Sequence, residues 1–219
     1  MSKQALQLVI VPHRPAHTDG EINADLGPAL EILQRAAGLK AIWRGKKFED
    51  RYTQVILLLW QDLASSHAFF TSFEYEKFNK LVQPALNGRT IEWQQHALLG
   101  GSELSNDAHL KSILNAPAIE VALTKVVEGG VAGYYKAFQE TVVAILNEDP
   151  GCDGFFIAPK IENPQDQLLL INWKSVDAHH EDFEKKPTFN ACIDALRDYY
   201  AVFVVPWHIV GLELKWGRI

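Results

Sequence analysis

The chain has 219 residues, with 21 Lys and Arg against 27 Asp and Glu for a formal charge of −6, and 47% apolar against 22% charged residues. These values exclude a disordered or collagen-like chain, and the acidic balance argues against a nucleic-acid binder, which needs a cationic surface to displace counterions from phosphates. No apolar run reaches the roughly 18 residues needed to cross a bilayer, the segment from Met1 to Gln7 lacks a secretory apolar stretch, and Cys152 and Cys192 show no Cys-x-x-Cys spacing, so a reduced, cytoplasmic protein without membrane attachment is expected.

Gln7 to Val11 reads as a strand. Ile22, Leu26, Leu30 and Leu33 then form a helical stripe. Leu39 to Arg44 and Tyr52 to Trp60 read as a hairpin, Ser66 to Leu86 as one helix, and Ile91 to Leu99 as a closing strand. Gly100, Gly101, Asn106 and Pro117 mark a connector with a short helix around Asp107 to Leu114.

The pattern then starts again. Ala118 to Val127 alternates as a strand, and Val131, Tyr135, Phe138, Val142 and Ile145 recur at helical spacing until Pro150-Gly151. Cys152 to Ile161 and Gln167 to Trp173 form a second hairpin. Ser175 is placed to cap a helix from Val176 to Lys186, Pro187 interrupts it, a segment from Phe189 to Tyr200 follows, and Val202 to Lys215 is the last strand.

The two halves align at an offset of 113: Gly38 meets Gly151, Gln54 meets Gln167, Trp60 meets Trp173, His67 meets His180 and Phe70 meets Phe183. Residues 38–70 and 151–183 share 8 identities in 33 ungapped positions, against roughly two by chance. A period this long makes each half one structural unit. The order β-α-β-β-α-β is the ferredoxin-like unit, which gives an α+β chain with repeats at 1–100 and 118–219 joined by residues 101–117. A four-stranded sheet with both helices on one face leaves the other face to be covered. The expectation is two ferredoxin-like repeats packed sheet to sheet as a pseudo-dimeric α/β barrel, with a cavity between the sheets.

Trp173-Lys174-Ser175-Val176-Asp177-Ala178-His179-His180, followed by Pro187-Thr188-Phe189, resembles the antibiotic-biosynthesis-monooxygenase (ABM) type of dimeric α/β barrel, and Trp60 through Phe70 resembles an eroded copy. The resemblance implies a ligand cavity. It also implies a choice of activities: cofactor-free oxygenases, polyketide cyclases, haem-degrading enzymes, chlorite dismutase-like proteins and members without activity. The function it implies first is a cofactor-independent monooxygenase, cyclase or isomerase acting on a small hydrophobic aromatic or polyketide-like molecule in secondary metabolism. The alternative is a non-catalytic ligand-binding or stress-associated barrel. Either form would be a monomer or homodimer with a small hydrophobic ligand as its partner. No cofactor is expected. Haem, the third option, would require a defined axial ligand, and the haem-degrading branch is expected to carry a histidine ten residues past the Trp, where this chain has Phe70 and Phe183.

Strand parity nominates the site. Trp60 closes the set Gln54, Ile56, Leu58; Trp173 closes the set Gln167, Leu169, Ile171; both sets are assigned to the cavity, with the aliphatic sets toward the helices. Glu120 is an acid among Ala118, Ile119, Val121, Ala122 and Leu123, and desolvation there would make it a base. His208, His180 and His67 are the other acid/base candidates, since histidine titrates near ~6.5. Trp60 and Trp173 either stack on a planar ligand or fill the core. His13 and His96 share the cavity face by parity, and Tyr134 and Tyr135 are placed at its mouth. His179, His180, Glu181, Asp182 and Glu184 lack the His-Glu-x-x-His pattern and read as a charged helix surface, so no metal site is expected.

Overall fold

The computed structural model describes residues 3–15 and 18–217. The chain forms two compact units, residues 1–96 with 212–219, and residues 97–211.

In the first unit, β1 (Ala5–Pro12), α1 (Asp19–Gln34), β2 (Leu39–Lys47), β3 (Thr53–Trp60), α2 (Leu63–Phe70), α3 (Phe73–Leu86) and β4 (Glu92–Leu98) follow in order. The strands lie in the ferredoxin-like order β4-β1-β3-β2. The helix expected over Ser66 to Leu86 is two helices because the sequence carries two caps: Asp62 Oδ1 accepts from the Ser65 N–H at 2.8 Å, and Ser72 Oγ accepts from the Tyr75 N–H at 3.3 Å.

The second unit opens with α4 (Asp107–Leu114) and β5 (Ala118–Val126). One long helix comes next: α5 (Val131–Ala137) runs through a π turn at Phe138–Val142 into α6 (Val143–Glu148). β6 (Cys152–Pro159), β7 (Asp166–Trp173), a second π turn (Ala178–Phe183), α7 (Pro187–Leu196), β8 (Tyr200–Phe203) and β9 (Trp207–Gly217) complete it. Its strand order is β9-β5-β7-β6, the first unit's order again, with β8 also on β5. Residues of β9 from Leu212 onward belong to the first unit.

The duplication is exact in register. Ala5 pairs with Trp60 and Gln7 with Leu58 in the first unit; Ala118 pairs with Trp173 and Glu120 with Ile171 in the second. Each pair is the other moved by 113 positions.

Two details differ from the periodicity and matter for the site. The π turns widen their helices, so the inward row of the first helix is Tyr134, Phe138, Val142 and Leu146, while Val131, Tyr135 and Ile145 are only half-buried. The last strand is also interrupted. β5 pairs Thr124 with Phe203 and Val121 with Trp207, so two residues of β5 face three residues, Val204, Val205 and Pro206. The extra residue makes a bulge, and Pro206 has no N–H to give the ladder.

Candidate active site

The second unit encloses a cavity of about 240 Å³ between its sheet and its helices. Glu120, Ala122 and Thr124 of β5 and Leu169 and Ile171 of β7 form the floor, Phe138 and Val142 with Phe183 and Cys192 form the roof, and Phe203 of β8 with Val205 and Pro206 of the bulge complete the lining. The alternating set is the one parity selected, but it faces the helices. Trp173 packs in one cluster with Tyr134, Phe138 and Val142, so the assignment of the two faces was exchanged and the cavity is not the inter-sheet space expected. The physical reason is that both faces of these strands are apolar. Val55 to Trp60 and Gln167 to Trp173 are buried at every position, and hydropathy cannot say which face meets helices.

Glu120 is the only one of the ten nominated side chains on the cavity wall. It is 6% exposed. Its Oε2 accepts from Trp173 Nε1–H at 2.8 Å and lies 3.2 Å from His179 Nε2. Burial pushes its carboxyl up to about 7, against the opposing pull of the Trp173 hydrogen bond. Burial, reinforced by His208 and His180, pushes His179 down to about 3. His179 is therefore a neutral imidazole, and its contact with Glu120 is a hydrogen bond rather than an ion pair.

The other candidates take supporting places. Trp173 is fully buried and stacks on His179 with ring centroids 5.0 Å apart, so its face is covered and it orients Glu120. His208 is fully buried, with Nε2 2.9 Å from His179 Nδ1. His180 is half-exposed and bonds Glu184 Oε2 through Nδ1 at 2.8 Å. Tyr134 is buried in the core against Thr124, and Tyr135 donates to Gln167 Oε1 at 2.8 Å; neither lines the cavity, whereas Tyr200 does.

Trp60, His67, His13 and His96 belong to the first unit. Trp60 donates to Gln7 Oε1 at 3.1 Å, the same bond that Trp173 gives Glu120, with an amide where the second unit has an acid. His67 is exposed, His96 Nε2 meets Ser66 Oγ at 2.7 Å, and His13 Nε2 lies 3.2 Å from Asp25 Oδ2.

The residue that the sequence reading passed over is His179. The charged-surface reading holds for the exposed Glu181 and Asp182, yet His179 is 2% exposed. Its signal was its spacing, three residues after Val176 and four before Phe183, both buried.

Residues 117–195 match the family model for antibiotic biosynthesis monooxygenase. The match lies wholly within the second unit. Across the whole chain the fold is that of an anthrone oxidase-like protein, with a TM-score of 0.69 at 11% identity over 100% of this chain and 97% of that one. A protein designated a monooxygenase from Fusobacterium nucleatum subsp. nucleatum ATCC 25586 gives 0.62 at 11% identity over 99% and 97%. A protein designated a chlorite dismutase gives 0.62 at 9% identity over 97% and 96%. At such identities the likeness shows the ABM-like fold alone, extended over a tandem chain. No curated protein matches the chain by sequence.

Haem, the cofactor linked to part of this fold family, does not fit the second unit. A porphyrin is bulkier than a cavity of about 240 Å³, and the wall position ten residues past Trp173 is the apolar Phe183. Among the described residues no helix is long and apolar enough to cross a membrane.

Proposed function

We propose that the chain is a cofactor-independent ABM-type enzyme that takes a small, flat, apolar molecule into the second unit's cavity, with Glu120 as its acid/base group. The observation that supports this reading is a carboxyl group sealed into an apolar pocket and held there by two ring N–H groups, those of Trp173 and His179. Such a group is aimed at whatever fills the cavity, while the aromatic and aliphatic walls exclude water and position the substrate.

The substrate class that suits this arrangement is a phenol or polyketide ring system with an acidic C–H. Glu120 takes the proton, the carbanion gives its electrons to molecular oxygen, and a carbon-bound hydroperoxide forms. Loss of water from it leaves a carbonyl, so that CH2 and O2 become C=O and H2O. The similarity in fold to an anthrone oxidase-like protein accords with this class. The first unit has Gln7 in the corresponding place and carries the scaffold without the acid.

Oxygen uptake with anthrone and related phenols tests the reading. The wild type is expected to turn over at least one of them, and Glu120→Gln to bind it and turn it over about 10²- to 10⁴-fold more slowly, the span of general-base contributions. Binding without oxygen uptake in the wild type would favour a ligand-binding barrel instead.

A further inference from the structure

Behind Glu120, on the far edge of the His179 ring, the second unit assembles three imidazoles. The π turn at Ala178–Phe183 lets the consecutive residues His179 and His180 converge rather than splay, and β9 brings His208 against both. The ring centroids are 4.9 Å apart for His179 and His180, 5.0 Å for His179 and His208, and 4.8 Å for His180 and His208. This is a nearly equilateral triangle. One nitrogen from each ring lies within 4.8 Å of the others.

We propose that His179, His180 and His208 bind a divalent first-row transition ion of the zinc kind, with one imidazole nitrogen from each as ligand.

The dimensions fit. With metal–nitrogen bonds of about 2.1 Å, a ring centroid stands about 3.2 Å from the metal, which puts two centroids about 5.2 Å apart in tetrahedral and about 4.5 Å apart in cis-octahedral coordination. The observed triangle falls between these values. The separation of 2.9 Å between His179 Nδ1 and His208 Nε2 is close to the about 3.0 Å between cis ligands on an octahedral ion and would open to about 3.4 Å on a tetrahedral one; the ion takes the place of the proton they share.

The surroundings supply the second observation. Histidine ligands characteristically give their remaining ring N–H to a carboxylate, which fixes the tautomer and directs the other nitrogen at the metal. His179 has Nε2 3.2 Å from Glu120 Oε2, leaving Nδ1 for the ion. His180 has Nδ1 2.8 Å from Glu184 Oε2, leaving Nε2. A three-nitrogen set with no thiolate suits Zn(II), Co(II), Ni(II) or Cu(II) rather than Mg(II) or Ca(II), which take oxygen. His180 is 39% exposed at its side chain, so the ion has an entry path and water can complete its shell. Such an ion would clamp the π turn to β9 and hold His179 as a donor to Glu120. The cavity chemistry does not require it, and the inference stands apart from the enzyme reading.

The test uses the untagged full chain, freed of metal by chelator and dialysis, titrated with Co(II) as the probe. A class of sites with one equivalent per chain is expected, with the intensified visible bands of Co(II) in a nitrogen-rich, low-coordinate site, bleached by Zn(II). His180→Ala and His208→Ala should each abolish these bands, and Glu184→Gln should weaken Co(II) binding about 10- to 100-fold. His180 is exposed enough for its alanine variant to keep the fold, checked by circular dichroism, so it decides the matter if His208→Ala does not fold. Absence of saturable bands in the wild type would overturn the proposal, as would unchanged Co(II) affinity in His180→Ala.

Discussion

Filling the cavity from its floor should separate stability from ligand binding. Ala122 is 5% exposed, lines the cavity and sits on β5 opposite Leu169. Ala122→Ile adds three carbon groups, on the order of 80 Å³, about a third of the 240 Å³ available. Burying those carbons is worth about 2 kcal/mol at ~0.8 kcal/mol each, and β-branching suits a strand; side-chain entropy and imperfect fit take back about 1 kcal/mol. The net gain of about 1 kcal/mol corresponds to a rise in Tm of roughly 2–4 °C for a chain of this size. The same substitution leaves a ligand too little room beside Glu120. The assay is a thermal melt paired with a fluorescence titration of 2-naphthol, a planar phenol of suitable size. The expected result is a higher Tm and at least tenfold weaker binding. A lower Tm would mean that the space is not open as described, and unchanged binding would mean that ligands do not enter it.

Three further outcomes follow from local geometry. Burial pushes the thiols of Cys152 and Cys192 up to about 11; a raised thiol pKa keeps sulfur protonated, so at pH 8 the native protein should react with a thiol reagent about 200-fold more slowly than a free cysteine, with the rate rising tenfold per pH unit until about pH 11. Fast labelling at pH 8 would contradict the burial of both. Arg14 holds Asp25 below the ordinary carboxylate range, so the pair stabilises the fold above that range and loses its effect as the pH falls through the depressed value. Asp25→Asn should therefore lower the urea midpoint at pH 7 and converge with the wild type once the pH has fallen through the depressed value; a gap independent of pH would refute the pairing. Gly38 and Gly151 align in the repeat but are not equivalent: Gly38 has φ +81 and a Cβ there would lie 2.4 Å from Ser65 Cβ, whereas at Gly151 the nearest atom is Ala178 Cβ at 3.2 Å. Gly38→Ala should cost about 2 kcal/mol or more in a denaturant melt and Gly151→Ala clearly less; equal costs would contradict the geometry.

The fold was legible because duplication leaves two records of one design. Trp60 and Trp173, each ending a buried hairpin strand, fix the offset, and the ladders keep that offset residue for residue. Glu120 was legible for a different reason, since an acid inside an apolar strand has to be explained by its surroundings. The side of the sheet on which it acts was not, because strands buried on both faces carry no polar face to orient them. His179 was hidden by its company, since His180, Glu181, Asp182 and Glu184 read as a solvated face, although its spacing from Val176 and Phe183 marks an inward position. The bulge at Val204–Pro206 was hidden because a single extra residue in an apolar run leaves the composition unchanged, though Pro206 marks where the ladder had to break.

The account turns on where chemistry happens in a tandem chain. The direct measurement is oxygen uptake with an anthrone-class substrate in three proteins: the wild type, Glu120→Gln, and Gln7→Asn as the matching change in the first unit. The account predicts saturable uptake in the wild type, a rate at least a hundredfold lower in Glu120→Gln with ligand still bound, and a rate within about twofold of wild type in Gln7→Asn. Equal rates in wild type and Glu120→Gln, or a loss confined to Gln7→Asn, would contradict it.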